Sequence, residues 1–196
     1  MSIDIAFITL ILERFEGRGI TRGYVPVDKS GEPLGASGVT IATGLDLGQQ
    51  TRAGLKAMDI PETLINRFSP YLGAQKKEAQ YILARQPLTL TREEVATVDA
   101  AVHAKYIDET AELFGRDAFA AAPKEVQAVA VSLHFQFGVP FRKTSTALGN
   151  AWEAMRRGEY AYAAAQLREP LGWSRSHQAY LKRRNAEADL LERATS

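Results

Sequence analysis

Four carboxylates stand in the glycine-rich segment 15–48: Glu16, Asp28, Glu32 and Asp46. Hydrolysis of a glycosidic bond needs two carboxyl groups in different environments, one to protonate the leaving oxygen and one to activate or orient water. Because glycine adds no side chain to a core, a segment of this composition usually serves turns, close backbone approaches or a ligand site. The segment therefore permits a carbohydrate-cleaving site, although any α+β protein has acids near its loops.

These carboxylates differ in local context. Glu16 is expected in the last turn of a first helix, where the negative end of the helix dipole disfavours a second negative charge and so favours a general acid. A solvated surface position is the alternative for Glu16. Asp28 lies in a turn sequence in which aspartate bonds its own backbone. Asp46, between two leucines, is either a site residue or the N-cap of a short helix.

Hydrophobic periodicity indicates the elements that carry these residues. Apolar residues in segment 3–15 have helical spacing, and Gly17 stands where a C′ glycine belongs, so the first helix should end at Glu16. Short β-prone pieces separated by glycine turns follow in segment 19–41, which predicts an antiparallel hairpin or a three-stranded sheet.

From residue 49 onward the sequence shows only helical periods. Thr91 and Glu94 form a capping box, and another helix starts near Pro123 and ends at Gly138. The predicted helices span residues 51–58, 61–68, 74–85, 91–114, 123–138, 144–157, 160–167 and 174–192. A helix, a small sheet and a helical body in this order predict an α+β fold.

Composition limits the classes of function. The chain has 196 residues and 45% hydrophobic content, enough for a well-buried core. It has no cysteine and only three histidines, so we expect neither disulfides nor a metal site. The apolar N-terminal run lacks the basic region and cleavage site of a signal peptide and is too short to span a bilayer, so we expect synthesis into the cytosol.

Three stretches, in matching order and approximate spacing, resemble the phage-type lysozymes and most closely their pesticin-like branch. They are Glu16-Gly17 together with residues 37–48; residues 128–138, which end in Phe135-Gln136-Phe137-Gly138; and residues 150–167, followed by Trp173 and a basic helix. The resemblance covers both ends of the chain well and is weaker between residues 49 and 122.

This resemblance implies a single lysozyme-like catalytic domain over residues 1–196. Residues 1–50 would form the helix and sheet that bear the catalytic residues, and residues 51–196 would form a helical lobe. The implied activity is that of a muramidase, a glycoside hydrolase that needs no cofactor. It would cleave the β-1,4 bond between N-acetylmuramic acid and N-acetylglucosamine in peptidoglycan, with inversion at the anomeric carbon.

The resemblance also assigns roles to residues. Glu16 matches the family's general acid, Thr40 matches the threonine that helps to hold the attacking water, and Asp46 matches the aspartate that follows that threonine in the pesticin-like branch. Asp28 stays an alternative second carboxylate, because the smallest phage lysozymes have their aspartate in the turn before the threonine. Gln136 matches a substrate-facing glutamine. Glycines in the sheet would let the polysaccharide approach the backbone.

Positive charge is concentrated near the C-terminus, although the formal net charge is only +1. Such a segment is either an ordinary solvated helical face or a surface that attracts peptidoglycan carboxylates or the anionic phosphates of an outer membrane. We expect no nucleic acid binding, because the sequence has neither a helix-turn-helix pattern nor aromatic-basic interleaving. The cations considered are Arg142, Lys143, Arg175, Lys182, Arg183 and Arg184.

We therefore expect a monomeric phage endolysin that stays in the host cytoplasm until a holin opens the membrane and then acts on the cell wall in the periplasm. A bacteriocin killing domain of the same chemistry is one alternative, and it would need receptor-binding and translocation segments for which 196 residues leave no room. A wall-binding module without catalysis is the other, and the presence of Glu16, Thr40 and Asp46 argues against it.

Overall fold

The chain begins with a helix and a three-stranded antiparallel sheet, as predicted. Helix α1 spans Ile5–Glu16, and strands β1, β2 and β3 span Ile20–Tyr24, Thr40–Ala42 and Leu45–Asp46. These elements belong to a computed structural model, which describes residues 2–17, 19–138, 146–169 and 178–195. Gly17 has a φ of 80°, the left-handed conformation in which glycine commonly follows a helix, so Glu16 is the last residue of α1.

Helices dominate the remainder of the described residues, which confirms the α+β class. They are α2 Arg52–Ala57, α3 Glu62–Phe68, α4 Lys76–Arg85, α5 Arg92–Phe114, α6 Arg116–Ala121, α7 Lys124–Phe137, α8 Thr146–Arg156, α9 Tyr160–Arg168 and α10 Gln178–Arg193. Two 3₁₀ turns lie at Leu47–Gln49 and Ser69–Tyr71. Helix α6 has no counterpart among the predicted helices, which left residues 115–122 unassigned.

The backbone divides into two compact units, a sheet unit of Glu16–Lys105 and a helical unit of Met1–Phe15 with Tyr106–Ser196. Residues 51–105, predicted as part of a helical lobe, thus lie in the same unit as the sheet. The segment just before α5 pairs with the outer edge of β1: the Gly23 N–H donates to the Leu88 carbonyl at 2.9 Å, and the Leu90 N–H donates to the Thr21 carbonyl at 2.8 Å. The single-domain assignment stays a prediction.

The helical unit is built around α7, in which residues 126–134 are all buried. Trp152 of α8 is fully buried in the same core, and its ring meets that of Phe114 edge-on with centroids 5.5 Å apart. A polar network also lies inside this unit: Glu187 of α10 is 0% exposed, and its Oε1 accepts from Ser132 Oγ at 2.5 Å and from Arg184 Nη2 at 2.7 Å. Burial raises the pKa of the Glu187 carboxyl, while Arg184 and Arg183 act in the opposite direction.

The basic C-terminal segment is less exposed than the sequence suggests. Arg184 is 1% exposed and the Arg183 side chain 11%, because both pair with Glu187, so neither belongs to a solvated cationic face. Lys182 is exposed. The other three cations considered, Arg142, Lys143 and Arg175, lie outside the described residues. Contact of this segment with an anionic outer membrane stays a prediction.

Candidate active site

The sheet places two predicted site residues opposite each other. Thr40 on β2 is the antiparallel partner of Asp46 on β3, and on its other side it is the partner of Tyr24 on β1. Directly opposite residues of antiparallel strands project from the same face of the sheet. Tyr24, Thr40 and Asp46 therefore form one row across the three strands, which we call the site row.

Backbone donors hold the Asp46 carboxylate in place. Its Oδ1 accepts the N–H groups of Gly38 at 3.0 Å and Gly48 at 2.9 Å. The second bond is an N-cap of the 3₁₀ turn, so the N-cap interpretation of Asp46 is confirmed. Asp46 is partly buried, and its Oδ2 lies 3.3 Å from the Gly38 nitrogen, a longer contact than either of those that Oδ1 makes. The same side chain can thus cap the turn and offer an oxygen to a ligand.

Two glycines make this arrangement possible. A Cβ on Gly38 would lie 2.4 Å from the Gly48 Cα, and a Cβ on Gly48 would lie 2.5 Å from the Ala74 carbonyl oxygen. Both distances are shorter than the contacts that Cβ atoms make in proteins, and the atoms met belong to the backbone, so only glycine fits at either position without a backbone shift. At Gly38 and Gly48 the close backbone approach is therefore made by the protein itself, whereas the sequence suggested a polysaccharide.

Glu16 belongs to the same unit and is exposed at the end of α1. Three residues later Gly19 packs on β2, because a Cβ there would lie 3.2 Å from the Ala42 carbonyl carbon. Three residues span at most about 11 Å, which bounds the separation between the Cα atoms of Glu16 and Gly19. The chain therefore ties Glu16 to the strand that bears Thr40.

One face of α5 supports both the segment that follows Glu16 and the β2–β3 hairpin that carries Thr40 and Asp46. Arg92 Nη1 donates to the Gly19 carbonyl at 2.9 Å, and Asp99 Oδ1 accepts the N–H of Thr43, in the turn between β2 and β3, at 2.8 Å. Arg92 and Asp99 are seven residues apart and so lie on one side of the helix. Sequence reasoning missed both residues: their spacing was visible, but their partners, 73 and 56 residues away, were not.

Asp28, the alternative second carboxylate, lies in an exposed turn. Its Oδ1 accepts from the Ser30 hydroxyl at 2.6 Å and from the N–H groups of Ser30 and Glu32 at 2.8 and 3.1 Å. These bonds, that of the Ser30 side chain most of all, lower the pKa of the Asp28 carboxyl. The turn interpretation is confirmed. The strand register places Asp46, and not Asp28, opposite Thr40.

Gln136 lies in the helical unit, near the end of α7, and is exposed. Arg184 Nη2 donates to the Gln136 Oε1 at 2.6 Å. Because the amide oxygen accepts from a buried arginine, the hydrogen-bonding capacity left to this side chain is that of the amide N–H donors. The role of Gln136 in substrate binding stays a prediction.

The match with a known family covers most of the chain. The family model is Pesticin, described as the C-terminal part of a bacterial toxin homologue of phage lysozyme, and it matches residues 2–160. The chain belongs to this family. A search of curated proteins returned no match. Membership of the pesticin family confirms the resemblance to phage lysozyme and makes the chain, in general terms, a lysozyme-like peptidoglycan hydrolase.

The part that matches the pesticin model includes Glu16, Thr40, Asp46 and Gln136, whereas α10 lies beyond it. The described part of this pesticin-family chain has no group of three or more histidine, aspartate or glutamate side chains placed to hold a metal ion. None of its described helices is long and apolar enough to cross a membrane.

Replacing Gly48 with alanine tests the role of the glycines in this pesticin-family site. The new Cβ would overlap the Ala74 carbonyl oxygen and the Gly38 Cα, so we expect the free energy of unfolding to fall by about 1–3 kcal/mol. Gly54→Ala is the matched control, because Gly54 lies inside α2, where alanine is favoured over glycine by roughly 0.5–1 kcal/mol. Denaturant unfolding of both variants measures the difference, and equal stabilities would contradict the packing argument.

Proposed function

We propose that this protein is a muramidase that hydrolyses the β-1,4 bond between N-acetylmuramic acid and N-acetylglucosamine in peptidoglycan strands. The observation that carries the proposal is the direct pairing of Thr40 with Asp46, in the same unit as Glu16 at the end of α1. A hydroxyl and a carboxylate on one row can bind one water molecule, and a second carboxyl group can act on the leaving oxygen.

Each of these residues has a distinct task in the proposed reaction. Glu16 donates its proton to the glycosidic oxygen as the bond breaks. Asp46 accepts a proton from the attacking water, and the Thr40 oxygen accepts a hydrogen bond from the water's other O–H, which stays on the oxygen that joins the anomeric carbon. The Thr40 hydroxyl itself donates to the Gly38 carbonyl at 3.4 Å, so its oxygen lone pairs stay available as acceptors. With both hydrogens bound, the water directs a lone pair at the anomeric carbon.

Water held in this way attacks from the face opposite the leaving group, so the product of a β-bond is the α-anomer. Inversion of this kind requires the two carboxyl groups to stand roughly 6.5–9.5 Å apart, which leaves room for the water. A separation of about 5–5.5 Å would instead suit a covalent intermediate and retention.

Glu16→Gln tests the proposed general acid. Glutamine cannot protonate the leaving oxygen, so we expect the rate of peptidoglycan clearing to fall by roughly 10²- to 10⁴-fold or more, with the fold unchanged. Turbidity of purified peptidoglycan measures the rate, and circular dichroism checks the fold. Near wild-type clearing by a folded variant would remove Glu16 from the mechanism.

Asp46→Asn and Asp28→Asn together test the second carboxylate. Asparagine at 46 keeps an oxygen that can accept the Gly38 and Gly48 N–H groups but loses the base, so we expect roughly 10²- to 10⁴-fold lower activity in a folded protein. Asp28→Asn should keep most of the activity, because the bonds of the Asp28 side chain to described residues all lie within its own turn.

Proton NMR of the first product, recorded before mutarotation, completes this test. An α-anomer is the expected product. A β-anomer would contradict the water-holding roles of Thr40 and Asp46, and an inactive Asp28→Asn beside an active Asp46→Asn would move the second carboxylate to Asp28.

For the biological role we propose a phage endolysin that is released from the host cytoplasm by a holin and acts in the periplasm. The toxin in the family description favours a second candidate, the killing domain of a bacteriocin with the same chemistry. The two roles differ in the side from which the enzyme reaches the cell wall. An endolysin is made inside the cell and lyses that cell only after the inner membrane has been opened. A bacteriocin kills from outside in a receptor-dependent way.

A further inference from the structure

Tyr24 is the third member of the site row and has no role in the proposed reaction. It is 39% exposed, and Ile20 on the same strand is 46% exposed. Along β1 exposed and half-buried residues alternate, with Ile20, Arg22 and Tyr24 on the exposed side. An aromatic and an aliphatic side chain thus face solvent on the strand next to Thr40.

Strand register fixes the face on which these side chains lie. Ile20 is the partner of Ala42, and Tyr24 is the partner of Thr40. An advance of four residues along β1 therefore corresponds to two residues along β2. The two extra residues form an irregularity in β1, and because their number is even, both side chains stay on the Thr40 face. The opposite face carries the paired Ile41 and Leu45, which are 0% and 5% exposed and belong to the core.

Tyr24 lacks the contacts that give the other tyrosines of this unit a structural role. The Tyr71 ring is 1% exposed and its hydroxyl donates to the Gln86 carbonyl at 2.7 Å. The Tyr81 ring lies beneath the Arg85 guanidinium at 4.6 Å. Within the described residues, Tyr24 has neither a hydrogen bond from its hydroxyl nor a ring contact of this kind.

We propose that Tyr24 is a glycan-binding residue, with its ring packed against the C–H face of a sugar in the peptidoglycan strand. This inference rests on the proposed function. Opposite residues of antiparallel strands have Cβ atoms about 4.5–5.5 Å apart, so a sugar on Tyr24 is the one at the cleavage position or its neighbour. The ligand class is a β-1,4-linked pyranoside.

The chemistry of the two surfaces is complementary. Axial hydrogens make one face of a β-linked pyranose apolar and slightly positive, and the face of an aromatic ring is negative. A tyrosine ring has two side-chain torsions and therefore loses little conformational entropy on binding. Ile20 extends the apolar surface along the strand, while Asp46 provides polar atoms at the other end of the site row.

Binding is best measured without turnover, in the Glu16→Gln background. A GlcNAc–MurNAc tetrasaccharide is titrated calorimetrically into this variant and into the same variant carrying Tyr24→Ala, Tyr24→Leu or Tyr24→Phe. We expect Kd to rise roughly two- to tenfold for alanine and leucine, which lack the ring face, and to change less than about twofold for phenylalanine, which keeps it. Tyr81→Ala is the matched control, because Tyr81 is an exposed tyrosine of the same unit on α4.

Kinetics on the enzyme with Glu16 intact give an independent readout. Loss of a binding contact should raise KM while kcat changes little. A Kd for the Tyr24→Ala and Tyr24→Leu proteins equal to that of the Tyr81→Ala protein would overturn the inference, as would a fall in kcat at unchanged KM. Both results leave the proposed function intact if the wild type cleaves peptidoglycan, whereas a wild type that cleaves none would refute the function itself.

Discussion

The close approach of Gly38 and Gly48 is the constraint on which the sheet unit depends. It allows two backbone N–H groups to reach one oxygen of Asp46, and this carboxylate bridges the chain before β2 and the chain after β3. Strand β3 has only two residues, so its ladder of hydrogen bonds is too short to fix its position alone. Asp99 fixes the other end of the same hairpin through Thr43.

In the helical unit, a buried charge pair controls the direction of an exposed amide. Arg184 is shared between Glu187 inside the core and Gln136 at the surface. A buried ion pair is often no more stabilising than apolar side chains of similar volume. Its effect on geometry is separate from stability, because an apolar replacement of Arg184 would leave the Gln136 oxygen without this donor. What the contacts show directly is this orientation of the Gln136 amide.

Sequence rules that involve only neighbouring residues, such as helix caps, predicted the ends of helices well. Thr91 and Glu94 make both bonds of the capping box, at 2.8 and 3.1 Å, and Gly17 ends α1 in the left-handed conformation. These features depend on neighbours within a few residues, which the sequence shows directly. The exposure of Arg183 and Arg184 was predicted wrongly, because a helical cation is buried only when the core supplies partners for its charge. Here Glu187 and Ser132 do so, and no periodicity shows that.

The pairing of β1 with the segment before α5 has a consequence for self-association. An unpaired strand edge offers N–H and C=O groups to a second molecule and so promotes aggregation. In this chain the outer edge of β1, the longest strand of the sheet, is bonded to Leu88 and Leu90. The strand at the opposite edge, β3, is two residues long, too short to act as a template for intermolecular strand addition. Both edges of the sheet are thus poor templates for edge-to-edge association, while Ile20 and Tyr24 on the face that carries the site row stay exposed.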